Sequence, residues 1–336
     1  MKETVPEIPN PAASDGSVRS LLEVHGLIAG FHVPGGFAQA VDGVDFTVGR
    51  GSFVGLVGES GSGKSTVVRS LVRLLRPPGE IRGGRVVFEG RDLMRIRESE
   101  MRRLRGAKIS FITQNPFAVL HPVLQIRKQF RNFIAAHRTM ARSEIDSVAL
   151  QQLESVRIKD PQRVLHGYAH ELSGGMAQRV VIAMALALKP SLVIADEPTT
   201  ALDVTVQRQI LELMRLLIAD QHRSLLLVTH DVGIVAQYCD HVVVMFSGTV
   251  VESGPVSRVL LEPQHPYTQR LLQSVKSGLD IIPTTDEYAG ELAAPSGCPY
   301  RLRCPHVMDH CSVERPQPRR SGDSLVSCFL YEAENG

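Results

Sequence analysis

A chain of 336 residues with 43% hydrophobic and 21% charged residues has the make-up of a folded protein with a sizeable core, which excludes a disordered or fibrous chain. A formal charge of +2 is too balanced to indicate nucleic acid, and no apolar run reaches the roughly 18 residues that a membrane span needs. Residues 1–20 are polar, contain proline and lack the apolar stretch of a secretory signal. They predict a polar tail on a cytoplasmic protein that meets a membrane only through partners.

In chain order, Leu21 to Ile28 and Ala40 to Val48 carry strand-type patterns around a Gly/Pro-containing turn. Phe53 to Val57 is a continuous apolar run that stops at Gly58, as a fully buried strand does. Ser65 to Leu75 follows with helical spacing and ends before Pro77-Pro78-Gly79. A strand over Arg85–Phe88, a charged helical stretch ending near Arg105 and a strand over Lys108–Ile112 come next. From about 120 to 172 apolar residues recur at helical spacing and glycine nearly vanishes, which predicts an inserted helical subdomain. Alternation then resumes with a helix over Gly174–Leu188, a strand over Ser191–Ala195, a helix over Thr205–Ala219 and strands over Ser224–Val228 and His241–Phe246. This order predicts an α/β fold with a mostly parallel sheet. The expected divisions are a tail over 1–20, a nucleotide-binding domain over 21–275 and a Cys-rich extension over 276–336.

Gly58-Glu59-Ser60-Gly61-Ser62-Gly63-Lys64-Ser65 satisfies G-x-x-x-x-G-K-[ST] between a predicted strand and a predicted helix, with Thr66 continuing the helix. Glycines let backbone N–H groups turn inward around phosphates, and the helix N-terminus adds partial positive charge. Lys64 is then placed to reach the β and γ phosphates of ATP, and the Ser65 hydroxyl to ligate Mg²⁺. The apolar strand ending at Asp196-Glu197 delivers two acids to the same sheet edge, Asp196 for Mg²⁺ and Glu197 to polarise the attacking water. Leu225 to Thr229 ends at His230, which could donate a hydrogen bond to the γ-phosphate.

Leu172-Ser173-Gly174-Gly175-Met176-Ala177-Gln178-Arg179 resembles the LSGGQ signature of ABC ATPases, and Asp196 to Asp203 resembles that family's acidic strand and D-loop. Gln114 looks like its Q-loop glutamine, a further Mg²⁺ contact, and Phe31 like the aromatic that meets adenine, with Phe37 as the alternative. The resemblance implies a P-loop fold with an N-terminal antiparallel β subdomain. It also implies ATP held between the phosphate loop of one subunit and the Ser173-Gly174-Gly175 helix tip of another, with Asp203 of the D-loop a further nucleotide-binding residue. The long Q-loop, the run from Asp196 to Gln207, His265-Pro266-Tyr267-Thr268 and the Cys-rich tail resemble oligopeptide/dipeptide/nickel importer ATPases. His121 and Thr113 depart from that pattern, where asparagine and an aromatic are usual. The expected partners are a related but distinct ATPase chain, two membrane permeases and an extracytoplasmic substrate-binding protein, with no nucleic acid. The competing classes are a soluble ABC ATPase acting on DNA or ribosomes and a nucleotide-dependent regulator.

Cys298, Cys304, Cys311 and Cys328 fall within the last forty residues. Their spacing matches neither the usual zinc pairs nor ferredoxin runs, and leaves zinc, an iron–sulfur cluster or free thiols open. The resemblance to peptide-importer ATPases favours a [4Fe–4S] cluster, with Zn²⁺ as the alternative.

Overall fold

The apolar runs do become the buried strands. The computed structural model describes residues 20–200, 202–219, 222–277 and 296–331, so the N-terminal tail lies almost wholly outside the described residues. Strands β1 (Ser20–Val33), β2 (Gly36–Gly49), β4 (Gly79–Phe88) and β5 (Arg91–Asp92) form an antiparallel sheet in the order β2-β1-β4-β5. The β1–β2 hairpin is longer than its apolar pattern because its outer half, Gly30↔Gln39 to Val33↔Gly36, is held by pairing and not by burial.

The second sheet carries β3 (Phe53–Val57), β6 (Ile109–Ile112), β7 (Leu192–Asp196), β8 (Ser224–Thr229) and β9 (His241–Phe246), all parallel. Every residue of β3, β7 and β8 is buried, as helices on both faces require. Helices α1 (Lys64–Leu71), α6 (Gly174–Leu186), α7 (Val204–Ala219) and α8 (Val232–Tyr238) cover it. Helix α1 stops four residues short of the predicted Leu75, since Arg73 adopts φ 52° and donates its guanidinium to the Ile96 carbonyl at 2.8 Å.

After α2 (Glu98–Leu104), the helical insertion consists of α3 (Ile126–Ala135), α4 (Arg142–Ser155) and α5 (Pro161–His166). Phe130, Ile134, Ile145, Leu153 and Val164 share a core with β7 and α6. Each such side chain contributes roughly 1.5–3 kcal/mol on burial. Asp146 ties α4 to α3 by accepting from Arg127 Nη2 at 2.5 Å and Arg131 Nε at 2.7 Å, and these guanidinium groups hold its carboxyl far below the usual range.

Beyond β9 the chain adds strands to the same sheet. Strand β10 (Thr249–Pro255) pairs antiparallel with β9, α9 (Val256–Val259) and α10 (Pro266–Ser277) follow, and residues 296–331 return to the sheet. In that segment α11 (His310–Val313) precedes the hairpin β11 (Arg319–Ser321) and β12 (Ser324–Val326), and β12 pairs with β10 through Glu252↔Val326. The eight-stranded order is β11-β12-β10-β9-β3-β8-β7-β6. Phe246, Tyr267, Leu271, Tyr300, Cys298, Cys311 and Phe329 make one buried cluster with Val57 of β3, so the Cys-bearing segment shares a core with the strand that feeds the phosphate loop.

Candidate functional site: the phosphate loop and the sheet edge

Parallel pairing sets the site. Val57 stands opposite Thr229, Asp196 opposite Val228 and Ala195 opposite Ile112, so the loops after β3, β6, β7 and β8 leave at one edge. That is where ligands bind in sheets of this kind.

The loop from Gly58 to Gly63 depends on its glycines through close approach. Gly63, the residue before α1, has φ 96°, and a Cβ there would lie 2.3 Å from the Ala40 carbonyl oxygen. Lys64 is buried and lies back across the loop, donating to the carbonyls of Gly58 at 2.9 Å and Glu59 at 2.8 Å and to Ser62 Oγ at 3.3 Å. Burial pushes its pKa down, against the opposing charges of Glu197, Asp196 and Glu59. Each of those three acceptors is a group that a phosphate oxygen could replace. Ser60 and Gly61 are exposed at the loop tip, and Thr66 is half-buried on α1.

Ser65 Oγ donates to Asp196 Oδ1 at 2.9 Å, which brings the two expected Mg²⁺ ligands together. Burial raises the Asp196 pKa, and Arg69 lies 3.8 Å from its other oxygen. Glu197 has φ 46° at the strand end; its Oε2 accepts from Thr200 Oγ1 at 2.9 Å and its Oε1 faces His230 Nδ1 at 3.4 Å. A sparsely populated backbone conformation held by two side-chain partners is typical of groups positioned for chemistry. Thr200, which fixes one carboxylate oxygen, is a residue that the sequence reading passed over. Gln114 is exposed just beyond β6 and makes no side-chain hydrogen bond among the described residues, so it shares the edge but not the Ser65–Asp196 pair.

Two of the candidate residues meet other parts of their own chain. The Glu59 N–H donates to Tyr267 Oη at 2.9 Å and its Oε2 accepts from Arg303 Nη1 at 3.1 Å. Both of these groups therefore meet the C-terminal part of the chain. Asp203 accepts the Val206 N–H at 3.0 Å at the start of α7.

Ser173 accepts the Met176 N–H at 3.3 Å and caps α6. Gly174 and Gly175 abut Leu202 and Val206, and a Cβ on Gly175 would lie 2.9 Å from Val206 Cγ1. This second N–H-rich helix tip thus stands with the segment leading into α7, apart from the phosphate loop. Of the two aromatics, Phe37 is taken up by the Arg82 guanidinium 3.4 Å over its ring and by the edge of His32. Phe31 shares no ring contact among the described residues and pairs with Ala38 of β2.

Two of the four C-terminal sulfurs accept a backbone N–H, Cys304 from His306 at 3.4 Å and Cys311 from Met308 at 3.5 Å. Their charges interact mutually, and burial pushes Cys298 and Cys304 up and Cys328 up to about 11. N–H donors around sulfur suit thiolates, but among the described residues no group of three or more Cys, His, Asp or Glu side chains is arranged to hold a metal ion. The expected shared metal site is therefore not seen among the described residues. Cys239 is partly buried against the core, and desolvation pushes its pKa up to about 12. No helix among the described residues is long and apolar enough to cross a membrane.

Comparison with known proteins agrees with this geometry. The ABC transporter family profile matches residues 41–200, and the profile for the oligopeptide/dipeptide transporter C-terminal region matches 251–311. The chain is 39% identical to the oligopeptide transport ATP-binding protein OppD of Salmonella typhimurium, covering 98% of this chain and 97% of that one. It is 41% identical to the dipeptide transport ATP-binding protein DppD of Bacillus subtilis, covering 94% and 96%. Among solved structures, the dimeric ATP-binding cassette MJ0796 bound to ADP and Pi superposes with a TM-score of 0.63 at 26% identity, covering 70% of this chain and 98% of that one. The P-loop α/β fold and the ordered motifs are therefore those of a known class, and the chain belongs to the ABC transporter family as an ATP-binding subunit of its oligopeptide/dipeptide branch.

Proposed function

We propose that this chain hydrolyses ATP to drive uptake of di- and oligopeptides through two membrane permease subunits, from the cytoplasmic side of the membrane. Its companions in this reading are a second, related ATP-binding subunit and an extracytoplasmic substrate-binding protein. The observation that carries the reading is the convergence of Ser65, Asp196, Glu197 and His230 on one sheet edge beside the Lys64 loop. The relatives named for oligopeptide and dipeptide transport supply the cargo class.

In this reading the N–H groups of Gly61 to Ser65 and the α1 dipole surround the phosphates, and Lys64 exchanges its carbonyl partners for β and γ oxygens. Mg²⁺, when bound, neutralises charge on those oxygens, and Ser65 and Asp196 are the residues to hold it, with Gln114 joining on closure. Glu197, held by Thr200, orients the attacking water and accepts its proton, and His230 donates to the γ-phosphate. Phe31 carries the adenine. The Ser173-Gly174-Gly175 tip and the Asp203 segment serve the nucleotide of the companion subunit. For the extension we propose a structural [4Fe–4S] cluster on Cys298, Cys304, Cys311 and Cys328, with Zn²⁺ as the alternative; the N–H donors to Cys304 and Cys311 and the neighbouring arginines support it.

The test is the assembled transporter in proteoliposomes. Glu197→Gln keeps the shape but loses the base, so ATP binding is retained while hydrolysis and labelled-dipeptide uptake fall by about 10²–10⁴. Wild-type turnover by that variant would refute the role of Glu197. A nickel chelate that replaces dipeptide as the cargo would move the reading to a nickel importer.

A further inference from the structure

Glu59, the second residue of the phosphate loop, is held at three points. Its carbonyl accepts from Lys64 Nζ at 2.8 Å, its N–H donates to Tyr267 Oη at 2.9 Å and its carboxylate pairs with Arg303 at 3.1 Å. The side chains of that ion pair are only 19% and 14% exposed, so it is shielded from water on both sides. Sequence distance makes it a tertiary device: Tyr267 lies 208 residues and Arg303 lies 244 residues from Glu59.

Both holders are themselves fixed. Tyr267 is fully buried, with ring centroids 4.7 Å from Phe246 and 5.5 Å from Tyr300, and its N–H donates to His265 Nδ1 at 3.0 Å. His265 in turn donates its N–H to the buried carboxylate of Glu252 on β10 at 3.0 Å. Arg303 ends a 3₁₀ turn over Arg301–Arg303, between Cys298 and Cys304, and lies 5.6 Å from the Phe246 ring. The His265-Pro266-Tyr267 run and the Cys-bearing segment thus meet on one residue of the phosphate loop. Without Arg303, the Glu59 carboxylate would stand half-desolvated within the loop that receives a polyanion.

We propose that Arg303 and Tyr267 are positioning residues for nucleotide binding, by which the C-terminal segment braces the phosphate loop of its own chain and keeps the Glu59 carboxylate from opposing the triphosphate. The inference rests on the reading of this loop as the ATP site.

The full-length chain is titrated with Mg²⁺–ATP and with Mg²⁺–ADP by calorimetry, at low and high salt, alongside its melting temperature. Arg303→Ala is expected to weaken ATP binding about tenfold, ADP less, with the defect shrinking as salt screens the exposed carboxylate. Tyr267→Phe keeps the ring packing, orphans the Glu59 N–H and is expected to weaken ATP about threefold. The deciding variant is Arg303→Ala combined with Glu59→Gln. Removing the unpaired charge returns ATP affinity to within about threefold of wild type, which a merely structural arginine would not allow. Wild-type affinity in Arg303→Ala, or a tenfold loss that Glu59→Gln leaves in place, overturns the proposal. A wild-type chain that binds no ATP at all overturns the reading of the loop itself, and is distinguished by occurring before any substitution is made.

Discussion

Acidification offers a direct measure of how firmly the His265 strut is built. His265 is 1% exposed, and burial pushes its pKa down from 6.5 to about 4. Its Nδ1 accepts the Tyr267 N–H, so protonation there breaks that bond as well as placing a charge in a core. A histidine whose folded pKa is depressed contributes stability above the unfolded value, and that contribution is lost as pH falls from about 6.5 towards about 4. With those two values, the loss between pH 8 and pH 5.5 is about 1 kcal/mol, and it reaches about 3 kcal/mol below both. Glu252, whose pKa burial raises, works in the opposite sense at low pH, so the wild-type slope alone is ambiguous. The clean comparison is His265→Asn, whose side-chain carbonyl can still accept the Tyr267 N–H but does not titrate. Urea unfolding at both pH values should show the wild type losing about 1 kcal/mol more than the variant. Identical pH dependence in the two proteins would refute the argument that His265 is buried neutral in a strut.

Gly63→Ala forces φ 96° on a residue with a side chain and drives its Cβ to 2.3 Å from a backbone oxygen. The expected result is a loss of ATP affinity of tenfold or more from displacement of the loop, measured by calorimetry; unchanged affinity would show that the loop does not need this close approach. Cys304→Ser should lower the iron content from about four per chain and abolish absorbance near about 400 nm, and wild-type iron in that variant would remove Cys304 from the proposed cluster.

The central sheet was legible because continuous apolar runs such as Phe53–Val57 and Leu192–Ala195 have one economical solution, burial on both faces. The phosphate loop and the acids after β7 were legible because their chemistry is local to one strand end. Strand β10 was not: Thr249–Pro255 contains glycine, serine, glutamate and proline, and it is a strand only because β9 and β12 offer partners. Strands β11 and β12 are three residues each, too short for any period to show. The contacts of Asp203 and Glu59 were not legible for opposite reasons. Asp203 caps the helix that follows, a local use that its motif does not announce. Glu59 meets an arginine from the far end of the chain. His265-Pro266-Tyr267 stood out in the sequence as a family mark, and only the contact of Tyr267 with the loop gives that mark a physical reason.

The addition of β12 to β10 bears on how the molecule can be cut. A fragment ending near residue 277 would leave β10 with a bare ladder edge, and the aromatic faces around Phe246 and Tyr267 open to water. Such an edge invites intermolecular strand addition, so a shortened recombinant cassette should self-associate where the intact chain stays dispersed. The C-terminal segment is the selvedge of the sheet, and trimming it would cost dispersal in solution and, with Arg303 gone, the bracing of the phosphate loop together.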